Sequence, residues 1–153
     1  MPPRVLDRQK RETMRVIMRV QDLMTADVET LHPGDSAADV LDLLHERNIR
    51  HVPVVDRDGD LVGLVTHRDV LRNTLSSSQS DLPQTLREEV LASRAVESIM
   101  TKNVLTAGAD DLLAEAAQSM LDQKVGCVLV TEGRRLVGIL TEADFVRHVA
   151  GDG

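Results

Sequence analysis

The chain has 153 residues, of which 42% are hydrophobic and only 1% aromatic, so we expect one or two small domains with an aliphatic core. Its net charge of −7 and its scarcity of aromatic rings disfavour nucleic acids and anionic membranes as partners. A single cysteine excludes an internal disulfide, and the sequence shows neither a signal peptide nor a long apolar run, so we predict a soluble, cytoplasmic protein.

The N-terminal segment, residues 1–19, is locally basic, with six basic side chains against two acidic ones. Its apolar residues Leu6, Met14, Ile17 and Met18 recur at helical spacing, which predicts an N-terminal helix. Two interpretations stay open. The helix packs on the rest of the protein or across a dimer, or it is an arm that binds nucleic acid or an acidic protein.

Two long stretches of the chain repeat each other. "VQDLMTADVET" at 20–30 aligns with "VESIMTKNVLT" at 96–106, and "GLVTHRD" at 63–69 aligns with "GILTEAD" at 138–144. The offset falls from 76 to 75 within the turn "DRDGD", which is matched by the shorter "EGRR". We predict repeat 1 at 20–72 and repeat 2 at 96–150, with a linker at 73–95.

The repeats share one predicted order of elements. For repeats 1 and 2 in turn, these are a short strand (28–30; 104–106), an amphipathic helix (36–47; 111–123), a hairpin (51–55 with 61–66; 127–131 with 136–140) and a second helix that begins at His67 or Glu142. The Ser-rich start of the linker predicts a loop, and 83–91 predicts a short helix behind Pro83.

Each copy of the repeated phrase contains a threonine three residues before an aspartate, Thr66 with Asp69 and Thr141 with Asp144. This is the pattern of a helix capping box. It also suits a nucleotide, because a helix N-terminus attracts phosphate and an aspartate one turn later can accept both ribose hydroxyls. Gly63 and Gly138 would let either a ligand or an opposing backbone come close.

Two β-α-β-β-α units that open on "DLMT" and "SIMT" and close on Gly-hydrophobic-hydrophobic-Thr-x-x-Asp resemble a tandem pair of CBS domains, a Bateman module. The resemblance implies an α+β fold in which the repeats pack sheet to sheet about a pseudo-two-fold axis. It implies clefts between them that bind AMP, ADP, ATP or S-adenosylmethionine in many relatives. It further implies a homodimer.

The same resemblance nominates the residues of two nucleotide sites, with the base against the first strand and the hairpin start of each repeat. Site 1 consists of Thr30, Arg50, His51, Val52, Pro53, Thr66, His67, Arg68 and Asp69. Site 2 consists of Asn103, Val104, Thr106, Gly126, Cys127, Val128, Thr141 and Asp144. Because basic residues follow Thr66 whereas Glu142 follows Thr141, we predict phosphorylated ligands for site 1. Site 2 is then empty, weaker or suited to a less anionic adenosyl group.

We expect no catalysis, since the sequence contains no P-loop, G-x-S-x-G or G-x-G-x-x-G motif. The five histidines lack metal-ligand spacing, and Cys127 suits a buried strand better than a nucleophile. The predicted function is a regulatory sensor that binds an adenosine-type nucleotide and signals to an effector protein. The alternative is a structural dimerisation or adaptor protein whose ligand sites are vestigial.

Overall fold

The computed structural model describes residues 18–74 and 83–151, except for the side chains of Asn73 and Thr74. The predicted helix at 1–19 lies almost wholly outside this part of the chain, so it stays a prediction, as do its two interpretations. Across the described ranges, no helix is both long enough and apolar enough to cross a membrane.

Helices and strands follow one another in the mixed α and β order predicted for the two repeats. In chain order the described elements are a 3-10 helix (Val20–Asp22), α1 (Ala37–Arg47), β1 (His51–Val55), β2 (Leu61–Thr66), α2 (His67–Thr74), α3 (Gln84–Ser93), α4 (Val96–Ile99), β3 (Thr106–Ala107), α5 (Leu113–Gln123), β4 (Cys127–Glu132), β5 (Arg135–Thr141) and α6 (Glu142–Ala150). The linker helix is confirmed as α3, which Pro83 immediately precedes.

The chain forms two compact units, and each draws on both halves of the sequence. The repeat-1 unit comprises Val28–Val104 and Gly133–Leu136. The repeat-2 unit comprises Leu105–Glu132, Val137–Gly153 and Met1–Asp27, the last described from residue 18 onward. The segment that opens each repeat therefore belongs to the unit built mainly from the other repeat.

The repeat-1 unit is organised around the β1–β2 hairpin. The strands are antiparallel, with His51 opposite Thr66 and Val54 opposite Gly63. The strand predicted at 28–30 is wrong, because these residues pair with no strand and only a single parallel bridge forms next to them, between Leu31 and Val54. The turn at Pro33 and Gly34 leads the chain away before a second pair can form.

The repeat-2 unit contains the strand order β3-β4-β5. β3 runs parallel to β4 and pairs Thr106 with Leu129, so this strand starts two residues later than 104, where it was predicted. Leu129 and Leu140 are fully buried within the unit. As expected from the composition, the buried side chains that form the two cores are aliphatic apart from Cys127.

Candidate functional site

Both copies of the repeated phrase form a strand-to-helix junction closed by a capping box. The backbone N–H and the hydroxyl of Thr66 donate to Oδ2 of Asp69 at 2.9 and 3.0 Å. The N–H and hydroxyl of Thr141 donate to Oδ2 of Asp144 at 2.8 and 3.2 Å. The capping interpretation is therefore confirmed at both helix starts. The capping hydrogen bonds use one oxygen of each carboxylate, Oδ2.

A second threonine approaches the other oxygen of each carboxylate. The hydroxyl of Thr101 lies 3.4 Å from Oδ1 of Asp69, and that of Thr25 lies 3.4 Å from Oδ1 of Asp144. Backbone hydrogen bonds fix both threonines, Thr101 to Leu64 and Thr25 to Ile139. The site prediction omitted both threonines, although the "MT" duplicated with the repeat was a signal that could have found them.

The methionine of each "MT" pair packs against the repeated glycine. A Cβ atom on Gly63 would lie 2.6 Å from Sδ of Met100, and one on Gly138 would lie 2.7 Å from Sδ of Met24. Each such Cβ would also lie 3.1 Å from the backbone carbonyl oxygen of the neighbouring threonine. The sequence left open whether these glycines admit a ligand or an opposing backbone. The structure shows that an opposing segment of the chain comes close to each of them.

All nine residues nominated for site 1 belong to the repeat-1 unit. The hairpin places His51 directly opposite Thr66, whose side chain contacts Asp69. Leu31, next to Thr30, donates its N–H to the carbonyl oxygen of Pro53 at 3.0 Å, which brings the first segment to the hairpin. The start of the hairpin therefore lies next to the N-terminus of α2.

The surface around site 1 carries basic side chains. Arg50 precedes β1, His67 and Arg68 begin α2, and all three are exposed. The N-terminus of α2 adds the positive end of a helix dipole. Within the repeat-1 unit, these groups offer a phosphate both backbone donors and cationic partners.

The residues nominated for site 2 are divided between the two compact units. Asn103 and Val104 belong to the repeat-1 unit, and the other six belong to the repeat-2 unit. Within the latter, Thr106 and Val128 line a pocket of about 140 Å³, whose lining does not include Thr141 or Asp144.

Acidic side chains lie next to several residues nominated for site 2. Asp111 and Glu115 line the pocket. Glu142 donates its N–H to the carbonyl oxygen of Gly126 at 3.1 Å, and its carboxylate lies 3.6 to 3.8 Å from where a Cβ on Gly126 would be. Glu142 thus lies against Gly126, one of the residues nominated for site 2, and its negative charge disfavours a phosphate beside Gly126.

Asp144 is a buried charged residue of the repeat-2 unit, with 7% of its surface exposed. Nη2 of Arg147 donates to its Oδ1 at 3.2 Å, in a pair whose arginine side chain is 59% exposed. This contact joins successive turns of α6. The sequence prediction omitted Arg147, because an exposed arginine in a helix has no distinctive pattern.

Cys127 is buried in β4, as predicted. Burial raises the pKa of its thiol to about 11. Since the thiolate is the nucleophilic form, this cysteine is almost wholly protonated at neutral pH and is suited to packing.

Among the residues that the structure describes, the acidic group close enough to hold a metal ion is Asp56, Asp58 and Asp60 in the β1–β2 turn. Oδ1 of Asp56 accepts the N–H groups of Asp58 at 2.9 Å and Asp60 at 3.0 Å. These bonds close the turn, and they account for the cluster without a metal.

Comparison with known proteins identifies a family. The CBS domain model matches residues 20–76 and 96–151. The chain is also similar to a homoserine O-acetyltransferase of Methanohalobium evestigatum, with 32% identity over 131 residues. That alignment covers 85% of this chain but only 24% of the relative, so the chain matches about a quarter of that enzyme.

Two similar solved structures contain adenosyl ligands. The CBS domain pair of protein MJ0100, in complex with 5'-methylthioadenosine and S-adenosyl-L-methionine, is 30% identical with a TM-score of 0.72. The similarity covers 90% of this chain and 99% of that one. CBSX2 in complex with AMP is 29% identical with a TM-score of 0.70, covering 88% and 97% of the two chains.

Proposed function

Because the chain belongs to the CBS domain family and contains two such domains in tandem, we propose that it is a regulatory module that binds adenosyl ligands. The observation that carries this proposal is the junction at Thr66 and Asp69, where a hairpin start, a helix N-terminus and basic side chains belong to one compact unit. Adenosyl ligands in two similar structures support it.

Site 1 is proposed to take a phosphorylated ligand of the AMP, ADP or ATP class. Asp69 accepts hydrogen bonds from the ribose hydroxyls, the half-buried His51 at the start of β1 contacts the base, and the N-terminus of α2 faces the phosphate. Val52 and Pro53, which the sequence nominated for the base, are buried, and Val52 belongs to the core. Arg68 and His67 then offset the charge of the phosphate.

Site 2 is proposed to take a less anionic adenosyl ligand, of the S-adenosylmethionine class. Asp144 has the same capping geometry as Asp69, but the acidic Glu142 follows the capping Thr141 where the basic His67 follows Thr66, and it lies against Gly126. A phosphate is repelled by such carboxylates, whereas a sulfonium or an amine is attracted.

The ligand signals to an effector protein by shifting the population of two shapes of the module. Such a shift requires that the ligand bind the two shapes with different affinities. The proposed role has no catalytic step within this chain, and the relative named as an enzyme is matched over only 24% of its length.

Thermal unfolding with AMP, ADP, ATP, S-adenosylmethionine and NAD tests the proposal. A ligand present at about a hundred times its dissociation constant stabilises the native state by about 2.7 kcal/mol. For a chain of this size we expect the Tm to rise by roughly 5 to 11 °C. AMP and S-adenosylmethionine together should shift it further than either alone. If none of the five compounds raises the Tm, the chain is not an adenosyl sensor.

A structural dimerisation role is the second candidate, and exposed apolar side chains in the repeat-2 unit favour it. Val146 and Val149 on α6 are 66% and 86% exposed, and Leu121 on α5 is 71% exposed. We expect the protein to sediment as a homodimer and the Val146→Ser, Val149→Ser double variant to sediment as a monomer. A wild-type monomer, or a variant that remains dimeric, contradicts this role for α6.

A further inference from the structure

The carboxylate of Asp144 is fully engaged by the protein itself. Its Oδ2 accepts from the N–H and the hydroxyl of Thr141, at 2.8 and 3.2 Å. Its Oδ1 accepts from the hydroxyl of Thr25 at 3.4 Å and from Nη2 of Arg147 at 3.2 Å. A carboxylate offers about four acceptor positions, so a ribose diol can bind Asp144 only if one of these donors leaves.

The four donors differ in how easily they can leave. The two contacts from Thr141 form the cap of α6, and Thr25 is held by a backbone pair with Ile139 at 2.8 and 2.9 Å. Arg147 has no such restraint, because its side chain is 59% exposed and can swing into water. A ligand would therefore displace Arg147 before either threonine.

We propose that Arg147 is an internal competitor that occupies the diol-binding position of Asp144 and lowers the affinity of site 2 for ribose-containing ligands. This inference rests on the proposed function, in which Asp144 binds the ribose. It makes Arg147 a specificity-determining residue of site 2. The residue acts on the diol of the ligand and leaves the contacts to the base unchanged.

The corresponding arginine of the other repeat provides a matched control. Arg72 lies three residues after Asp69, as Arg147 lies three residues after Asp144. It is exposed on α2, and the ion pairs between described residues include none that joins Arg72 to Asp69.

The test uses the full-length protein with Asp69→Ala, which removes the diol contact of site 1. Titration calorimetry measures adenosine binding in this background, alone and with Arg147→Gln or Arg72→Gln added. We expect Arg147→Gln to raise the affinity on the order of fivefold, the effect of a half-exposed ion pair. Arg72→Gln should leave it unchanged. Arg147→Lys should give a smaller gain, since it keeps the positive charge.

The same titrations with 2',3'-dideoxyadenosine separate competition from a change in structure. This probe lacks the diol, so Arg147→Gln should leave its affinity unchanged. An equal gain for both probes, or no gain for adenosine in a variant with an unchanged circular dichroism spectrum, overturns the inference. If the wild type still binds AMP through Asp69, such a result leaves the proposed function intact. If the wild type binds no adenosyl ligand, the proposed function fails as well.

Discussion

Replacing Asp69 with alanine is expected to weaken AMP binding by about a hundredfold, because the ribose diol loses its hydrogen bonding to a charged acceptor. Each such bond contributes about 1.5 kcal/mol or more. The rise in Tm that AMP causes in the wild type should therefore nearly vanish at the same ligand concentration. Titration calorimetry and thermal unfolding measure the two effects independently.

The substitution also has an effect that does not depend on the ligand. Asp69 accepts the N–H of Thr66 at 2.9 Å, so its loss weakens the cap of α2 and lowers the free energy of unfolding by about 1 kcal/mol. The ligand-free variant provides this baseline. Asp69→Asn keeps an acceptor oxygen and the shape of the side chain, and we expect an intermediate loss of affinity.

Asp144→Ala is the matched variant in the other repeat. It removes the same capping contacts, at 2.8 and 3.2 Å, but it should reduce AMP binding far less, because the acidic Glu142 follows Thr141 at site 2. Equal losses of AMP affinity in Asp69→Ala and Asp144→Ala would show that the two sites are equivalent. That result contradicts the proposed preference of site 1 for phosphorylated ligands.

Local patterns predicted the elements that depend on local forces. The β1–β2 hairpin has the bounds predicted from alternation and turn residues, and α2 and α6 begin at His67 and Glu142, directly after the capping threonines. Capping boxes, turns and amphipathic periodicity act between residues a few positions apart, so a single sequence reveals them. The strand predicted at 28–30 failed because strand pairing depends on a partner 23 positions away, Val54 for Leu31.

The repeat alignment could not predict which segments of the chain make up each compact unit. Thr101 is bonded to Leu64 within the repeat-1 unit, and Thr25 is bonded to Ile139 within the repeat-2 unit. A repeat shows which residues correspond, but it does not show on which copy an opening segment packs. The partners of Asp69 and Asp144 in these segments were missed for that reason.

Gly63→Ala is expected to lower the free energy of unfolding by about 1 to 3 kcal/mol, the usual effect of overfilling a packed region. The added methyl group would lie 2.6 Å from Sδ of Met100 and 3.1 Å from the carbonyl oxygen of Thr101. Met100 can shift, but Thr101 is held by hydrogen bonds of 2.9 and 2.8 Å to Leu64. Denaturant unfolding, monitored by circular dichroism, measures the change.

Gly34→Ala is the control, because nothing lies within 4 Å of the position of its Cβ. A glycine replaced without strain stabilises a protein by up to about 1 kcal/mol through the unfolded chain, so the two variants should change stability in opposite directions.

A double-mutant cycle with Met100→Ala identifies the cause of the Gly63→Ala effect. If the methionine is the obstacle, the double variant is more stable than the sum of the two single changes predicts, by about 0.5 kcal/mol or more. The same cycle with Gly138→Ala and Met24→Ala should give a similar coupling, since Sδ of Met24 lies 2.7 Å from the corresponding Cβ. Additive changes in both cycles would show that the glycines do not accommodate the methionines. The repeated glycine would then be needed for the carbonyl oxygens of Thr25 and Thr101.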